Sequence, residues 1–216
     1  MTERIRGRGE KFHDSRQEKR ESIMNAALRV FSKKGYSPAA VDEVAMEAGI
    51  AKGTLYLYFA DKEDLFCSTI VYVMDRLKNY LESNLKNETD PLRSLEKVIF
   101  LLLKFFAENI SIFSLIEIAI NENIGTIHKR LQEIMIDRRK GFYEFLGSVF
   151  ERGVENGIIR DDIEKEDFIT CVDGVVMGEL RRIVFENMRR QEPIKVNISK
   201  RAESVFKILT EGILKK

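Results

Sequence analysis

Proline, cysteine and histidine are scarce in this 216-residue chain, which holds 3 Pro, 2 Cys and 2 His. With 13 Gly, 44% hydrophobic and 33% charged residues beside so little proline, it is neither collagen-like nor low-complexity nor disordered. The two cysteines, Cys67 and Cys171, stand far apart, make no CxxC pair, and read as buried free thiols inside apolar helical patterns. His13 lies in a basic arm and His128 beside Lys129 and Arg130, neither near a second ligand in sequence. No metal site, cofactor or Ser/His/Asp catalysis is therefore expected. No strictly apolar run exceeds Val98–Leu103, far short of the about 18 residues a membrane-spanning helix needs. The charged start MTERIRGRGE is unlike a secretory signal, so the expected location is the cytoplasm.

What is present is helical periodicity without a competing strand pattern. The net charge is only +1, yet it is unevenly placed: residues 1–34 carry ten Lys or Arg against five acids, and residues 35–66 carry two against six. Ser15 followed by Glu18 makes a capping box, so a first helix is expected to begin there, with residues 1–15 as a basic arm. Ile23, Ala26, Ala27, Val30 and Phe31 then form one apolar stripe, stopped by Lys33-Lys34-Gly35.

Three short elements follow. Val41 to Ala48 has Val44, Ala45 and Ala48 inward and Asp42, Glu43 and Glu47 outward. Gly49-Ile50-Ala51 forms a tight turn, and Lys52 to Tyr58 makes a second short helix. Asp61 then caps a long one. Two brief helices joined by a glycine turn are a helix-turn-helix. Ala45 permits a close crossing, Ile50 and Leu55 anchor the pair, and the exposed donors and rings of Lys52, Thr54, Tyr56 and Tyr58 suit phosphates, base edges and thymine methyls.

The residues Gly35-Tyr36, Val41-Asp42-Glu43-Val44-Ala45, Ala48 to Phe59 and Lys62-Glu63-Asp64-Leu65 resemble the TetR family of transcriptional regulators. The motif spans about residues 16–66. The resemblance implies an all-α fold, with a DNA-binding domain over 16–66 and a helical ligand-binding and dimerisation domain over 67–216. It makes Lys52 to Tyr58 the recognition helix and Lys52, Gly53, Thr54, Tyr56, Tyr58 and Lys62 the DNA-facing set, with Tyr58 and Lys62 holding the backbone. Phe59 is expected in the core. Where family members usually place Ser or Thr, this chain has Ala39, Ala40 and Ala51, and a lost cap costs about 1 kcal/mol. Ser37-Pro38 is an alternative cap that starts the second helix early. Arg4, Arg6 and Arg8 either take over phosphate contacts or form a solubilising tail.

Beyond residue 66, helices are expected over 65–84, from Pro91, and over 111–122, 126–156, 165–189 and 197–214. Val98 to Phe106 holds a single charge, Lys104, so its helix belongs in the centre. Phe100, Phe105, Phe106, Phe113, Met135, Phe142, Phe145, Phe168 and Met177 either line a cavity or fill a core, since periodicity does not separate the two. By resemblance, the candidate ligand residues are Phe105, Phe113, Glu117, Phe142, Phe145 and Met177, with Asn121 and Asp173 as further polar groups. The ligand would be small and hydrophobic or amphipathic. Gly174 and Gly178, beside Val175, Met177 and Leu180, suggest a close helix crossing. With Val205, Ile208, Leu209 and Ile213 they resemble the family's four-helix dimer interface, packing within one subunit being the competing reading. The expected function is a non-enzymatic regulator: a homodimer that binds a palindromic operator as a repressor and is released by its ligand. An activator of the same fold, or a helical carrier or enzyme without DNA affinity, would be the alternatives.

Overall fold

The computed structural model describes residues 3–121, 127–189 and 197–214, with side chains over 15–119, 127, 129–186 and 197–214. Among them the chain forms helices α1 (Glu3–Lys34), α2 (Val41–Glu47), α3 (Lys52–Leu55), α4 (Lys62–Leu85), α5 (Pro91–Glu108), α6 (Ile110–Asn121), α7 (Ile127–Glu155), α8 (Lys165–Arg189) and α9 (Ile198–Ile213). The described residues contain no strand beyond one isolated bridge between Ile159 and Leu214. No single helix among them is long and apolar enough to cross a membrane.

By contact the chain divides into two compact units, Met1–Val73 with Ser114–Ile134, and Met74–Phe113 with Met135–Lys216. In the first, Ile23, Ala26, Ala27 and Phe31 of α1 are fully buried, as their spacing dictates, and Met24 and Leu28 widen the stripe. Phe31 meets Phe66 of α4 edge to face with ring centres 4.9 Å apart, an arrangement favoured by the ring quadrupole. Arg20 donates to Ser68 Oγ at 3.1 Å and Asn25 to Tyr72 at 3.1 Å, tying α1 to α4.

One expectation fails at the start of this unit. Helix α1 begins at Glu3, not at Ser15, which lies in mid-helix. A capping box marks a possible start and does not stop a helix from extending upstream, where Arg, Lys and Glu favour the helix against a cost of about 1 kcal/mol each at Gly7 and Gly9. The side chains of Arg4, Arg6, Arg8 and His13 lie outside the described residues.

In the second unit Asp90 caps α5 by accepting from the Arg93 N–H at 2.8 Å, with Pro91 at the first helical position. Leu95, Val98, Ile99, Leu101, Leu102, Leu103, Phe105 and Phe106 are buried, so α5 is the central helix its composition demands, packed against α8 and α9. Asn197 caps α9 through the Lys200 N–H at 3.0 Å. After α7 the chain doubles back at Gly157, whose φ is +66°, and Ile159 then packs so closely on Gly153 that a Cβ there would stand 2.4 Å from its Cδ1.

Candidate nucleic-acid interface

The helix-turn-helix is built around a buried wedge. Val44, Ala45 and Leu55 are each at most 3% exposed, while Ile50 is half-buried. Gly49 adopts φ +65°, a left-handed turn that L side chains rarely accept, and the Ile50 N–H bonds the Ala45 carbonyl at 3.0 Å. Neither short helix has a side-chain cap, and Ser37 does not supply one: α2 starts at Val41, with Ala40 in the cap position. The loss is partly made good by Glu43, whose carboxylate accepts from the Ala40 N–H at 3.2 Å. Ser37 instead offers its carbonyl to the Lys62 ammonium at 3.0 Å.

The second short helix is shorter than expected. α3 ends at Leu55, and Tyr56 to Tyr58 continue as a turn in which the Leu57 N–H bonds Thr54 O at 3.2 Å and the Tyr58 N–H bonds Leu55 O at 2.9 Å. Such i to i+3 bonds tighten a helix end whose carbonyls lack partners. Phe59 is 1% exposed and belongs to the core as expected, whereas Tyr56 is 44% and Leu57 73% exposed. Lys52 and Gly53 are exposed, and Thr54, Tyr58 and Lys62 are intermediate. Asp61 accepts from the Asp64 N–H at 2.8 Å, and the Asp64 carboxylate accepts from the Ala60 N–H at 3.0 Å, a reciprocal cap that fixes the start of α4.

Ion pairs neutralise most of the acid in this segment. Arg29 pairs with Glu47 at 2.6 Å, Lys34 with Glu43 at 2.5 Å, Lys52 with Asp42 at 2.7 Å, and Arg130 with Glu63 at 3.5 Å. The local excess of carboxylates is thus held by cations from α1, α3 and α7. Hydrogen bonding from Lys34 and then from the Ala40 N–H holds the Glu43 carboxyl below its usual range, and the hydrogen bond to Asp42 pushes Lys52 upward. The Lys62 ammonium stacks over the Tyr36 ring at 4.5 Å, and its burial lowers its pKa. Arg16 lies 5.9 Å over the Tyr58 ring, and Arg20 lies 4.9 Å over Phe59.

This stretch is also where known proteins match. Residues 23–68 fit the family model described as bacterial regulatory proteins of the tetR family. Over these residues the chain carries a helix-turn-helix segment of the tetR type. Over most of its length the protein is similar to the fatty acid metabolism regulator protein of Bacillus subtilis, 23% identical over 191 residues that span 88% of this chain and 93% of the relative. It is also similar to the HTH-type transcriptional regulator AcrR of Shigella flexneri, 35% identical over 89 residues, 41% of each chain. In fold it matches the transcriptional regulator FadR from Bacillus subtilis, crystallised with stearoyl-CoA, at a TM-score of 0.74 and 23% identity, covering 89% of this chain and 98% of that one. Both relatives are named as regulators, and the segment they share with this chain includes the helix-turn-helix.

The six sequence-selected ligand residues differ in their surroundings. Phe105 and Phe113 are buried in a cluster of rings, with Phe106 5.4 Å from Phe105 and 5.3 Å from Phe113, and Tyr80 5.3 Å from Phe105. Phe142, Phe145 and Met177 are half-buried, and Glu117 falls in the first unit. Asp173 pairs with Arg139 and accepts from Tyr143 at 3.3 Å, leaving Oδ1 buried without a partner. A groove of about 520 Å³ beside α5 and α9 is lined by Arg93, Lys97, Phe100, Ala202 and Glu203, with none of the six among its residues. Asn121 lies outside the described side chains.

The candidate dimer surface separates into two classes. Leu180, Val205 and Leu209 are buried within the subunit, because α5 packs on both α8 and α9. Gly174 and Gly178 face open space, beside Val175 at 38% exposure, and Ile208 is 69% exposed. Cys171, expected to be buried, is exposed one turn before Gly174. Sequence reading missed Leu57 altogether, since a leucine between two tyrosines and before a phenylalanine looks like core.

Proposed function

We propose that the protein is a ligand-responsive repressor that binds a palindromic operator as a homodimer and leaves it when an effector with a long acyl chain binds the second unit. The observation that carries this reading is the exposed α3 face, held out by the buried Leu55 and the Gly49 turn. Lys52, Gly53, Thr54 and Tyr56 face the major groove, where donors and rings meet base edges and phosphates. Tyr58 and Lys62 stand beside the backbone, Lys62 anchoring the α1–α2 loop through Ser37 while its helix start lies near phosphate.

Dimerisation supplies the second head. Successive major grooves on one face of DNA are about 34 Å apart, and a single short helix binds weakly. Gly174, Val175, Gly178 and Ile208 form the pairing face, which their exposure in the single chain supports. The names of similar proteins, a fatty acid metabolism regulator and a regulator crystallised with stearoyl-CoA, support an acyl effector. Half-buried Phe142, Phe145 and Met177 are the candidate contacts for its chain. The effector tilts α4 and moves the heads apart, so operator and effector weaken each other by one common factor.

Selection of the purified protein against random duplex DNA tests the reading, followed by titration of the winner with stearoyl-CoA, free stearate and choline. Enrichment of an inverted repeat, released by the acyl compounds and not by choline, is the expected result. Binding without preferred sequence, lost steeply with salt, would leave only phosphate contacts at work and overturn the operator reading.

A further inference from the structure

Two large apolar side chains of the helix-turn-helix stand out into solvent, Met46 on α2 at 78% exposure and Leu57 directly after α3 at 73%. Leu57 adjoins the α3 face on the chain. Around it the polar means of reading DNA are partly occupied: the Lys52 ammonium is paired with Asp42 at 2.7 Å, Thr54 is half-buried, and Leu55 and Phe59 are buried. The backbone of Leu57 is held by its N–H bond to Thr54 O at 3.2 Å, so the side chain is presented from a hydrogen-bonded turn. A leucine has neither donor nor acceptor. It reads no phosphate oxygen and no polar base edge, and the apolar group that the major groove displays is the C5 methyl of thymine.

We infer that Leu57 packs on the C5 methyl of a thymine in each operator half-site and so sets a thymine preference at that position. The inference rests on the operator reading above, and it adds a specificity-determining contact outside the set of Lys52, Gly53, Thr54, Tyr56, Tyr58 and Lys62. The contact excludes water from one methyl group on the DNA and from part of the leucine. Removing that methyl forfeits the burial of about one carbon group, about fourfold in affinity per half-site and about fifteenfold when both are changed.

The test uses the full-length protein and the duplex selected from random DNA. Each thymine of the half-site is replaced singly by deoxyuridine, which removes only the methyl group, and affinity is measured for the unaltered protein and for Leu57→Ala. The exposed position makes Leu57→Ala a folded protein, checked by circular dichroism. One thymine per half-site is expected to give the fourfold loss with the unaltered protein and no further loss with Leu57→Ala, the signature of a coupled pair. A half-site without thymine, uracil tolerated at every position, or the same loss in Leu57→Ala would overturn the inference while leaving the operator reading intact. If no sequence is selected at all, the operator reading fails and takes the inference with it.

Discussion

The helix-turn-helix and the helices α5 to α8 hold their candidate functional side chains in opposite ways. In the first, a few buried residues, Val44, Ala45, Leu55 and Phe59, support a run of neighbours turned outward. In the second, the aromatic residues singled out from sequence are themselves the support: Phe105 and Phe113 pack into a ring cluster with Phe106 and Tyr80. A surface-reading site therefore survives loss of its reading residues, whereas a site carved from a core shares its residues with stability.

That contrast is sharpest in truncations. Phe113→Ala, at 1% exposure, is expected to cost about 3–5 kcal/mol of stability, read from denaturant unfolding, and a loss near zero would move Phe113 out of the core. Tyr56→Ala should do the reverse, weakening operator affinity by about 1–3 kcal/mol per half-site while stability stays within about 0.5 kcal/mol. Gel shift and thermal melting check the two halves, and undiminished operator affinity would break the assignment of Tyr56. Between these extremes, Phe142→Ala at a half-buried position should shift the effector concentration needed for operator release by more than it shifts the melting temperature. Equal shifts in both would make Phe142 ordinary core.

Smaller effects test the same contrast through chemistry. Burial pushes the Cys67 thiol up to about 11, so it stays protonated and resists thiol reagents at pH 8 until the protein unfolds. Cys171 is exposed on the proposed pairing face, and its labelling should slow as protein concentration rises and dimers form. Labelling independent of concentration would place the interface elsewhere. At the start of α2, the folded-state value of Glu43 lies below its ordinary 4.5. Its contribution is complete above that ordinary value and is lost as pH falls through the lowered one. Glu43→Gln should therefore differ in stability from the unaltered protein at pH 7 and converge with it in acid, as followed by unfolding at both pH values.

Legibility followed the locality of the contacts. The turn at Gly49, the cap at Asp61 and the burial of Phe59 each depend on residues a few positions apart, so their spacing in the chain stated them. The premature end of α3 at Leu55 was not readable, because whether Tyr56 to Tyr58 stay α-helical depends on how Phe59 is drawn into the core. Ser15 and Ser37 carried start signals that were not used, since a cap is one option among several for an N-terminus and the flanking residues tolerate helix or turn. Of the two cysteines expected in the core, Cys67 is buried and Cys171 is exposed, because an apolar helical pattern alone does not say which turn another helix covers.

Sequence alone determined the helical class, the helix-turn-helix with its outward residues, and the central place of α5, because periodicity and turn chemistry are properties of neighbouring residues. Tertiary structure decided which apolar residues were left over. Val205 and Leu209 are consumed by α5 while Ile208 between them is not, and Leu57 is exposed while Leu55, two residues away, is buried. Burial is settled by what another helix brings to the same face, and that partner lies far along the chain.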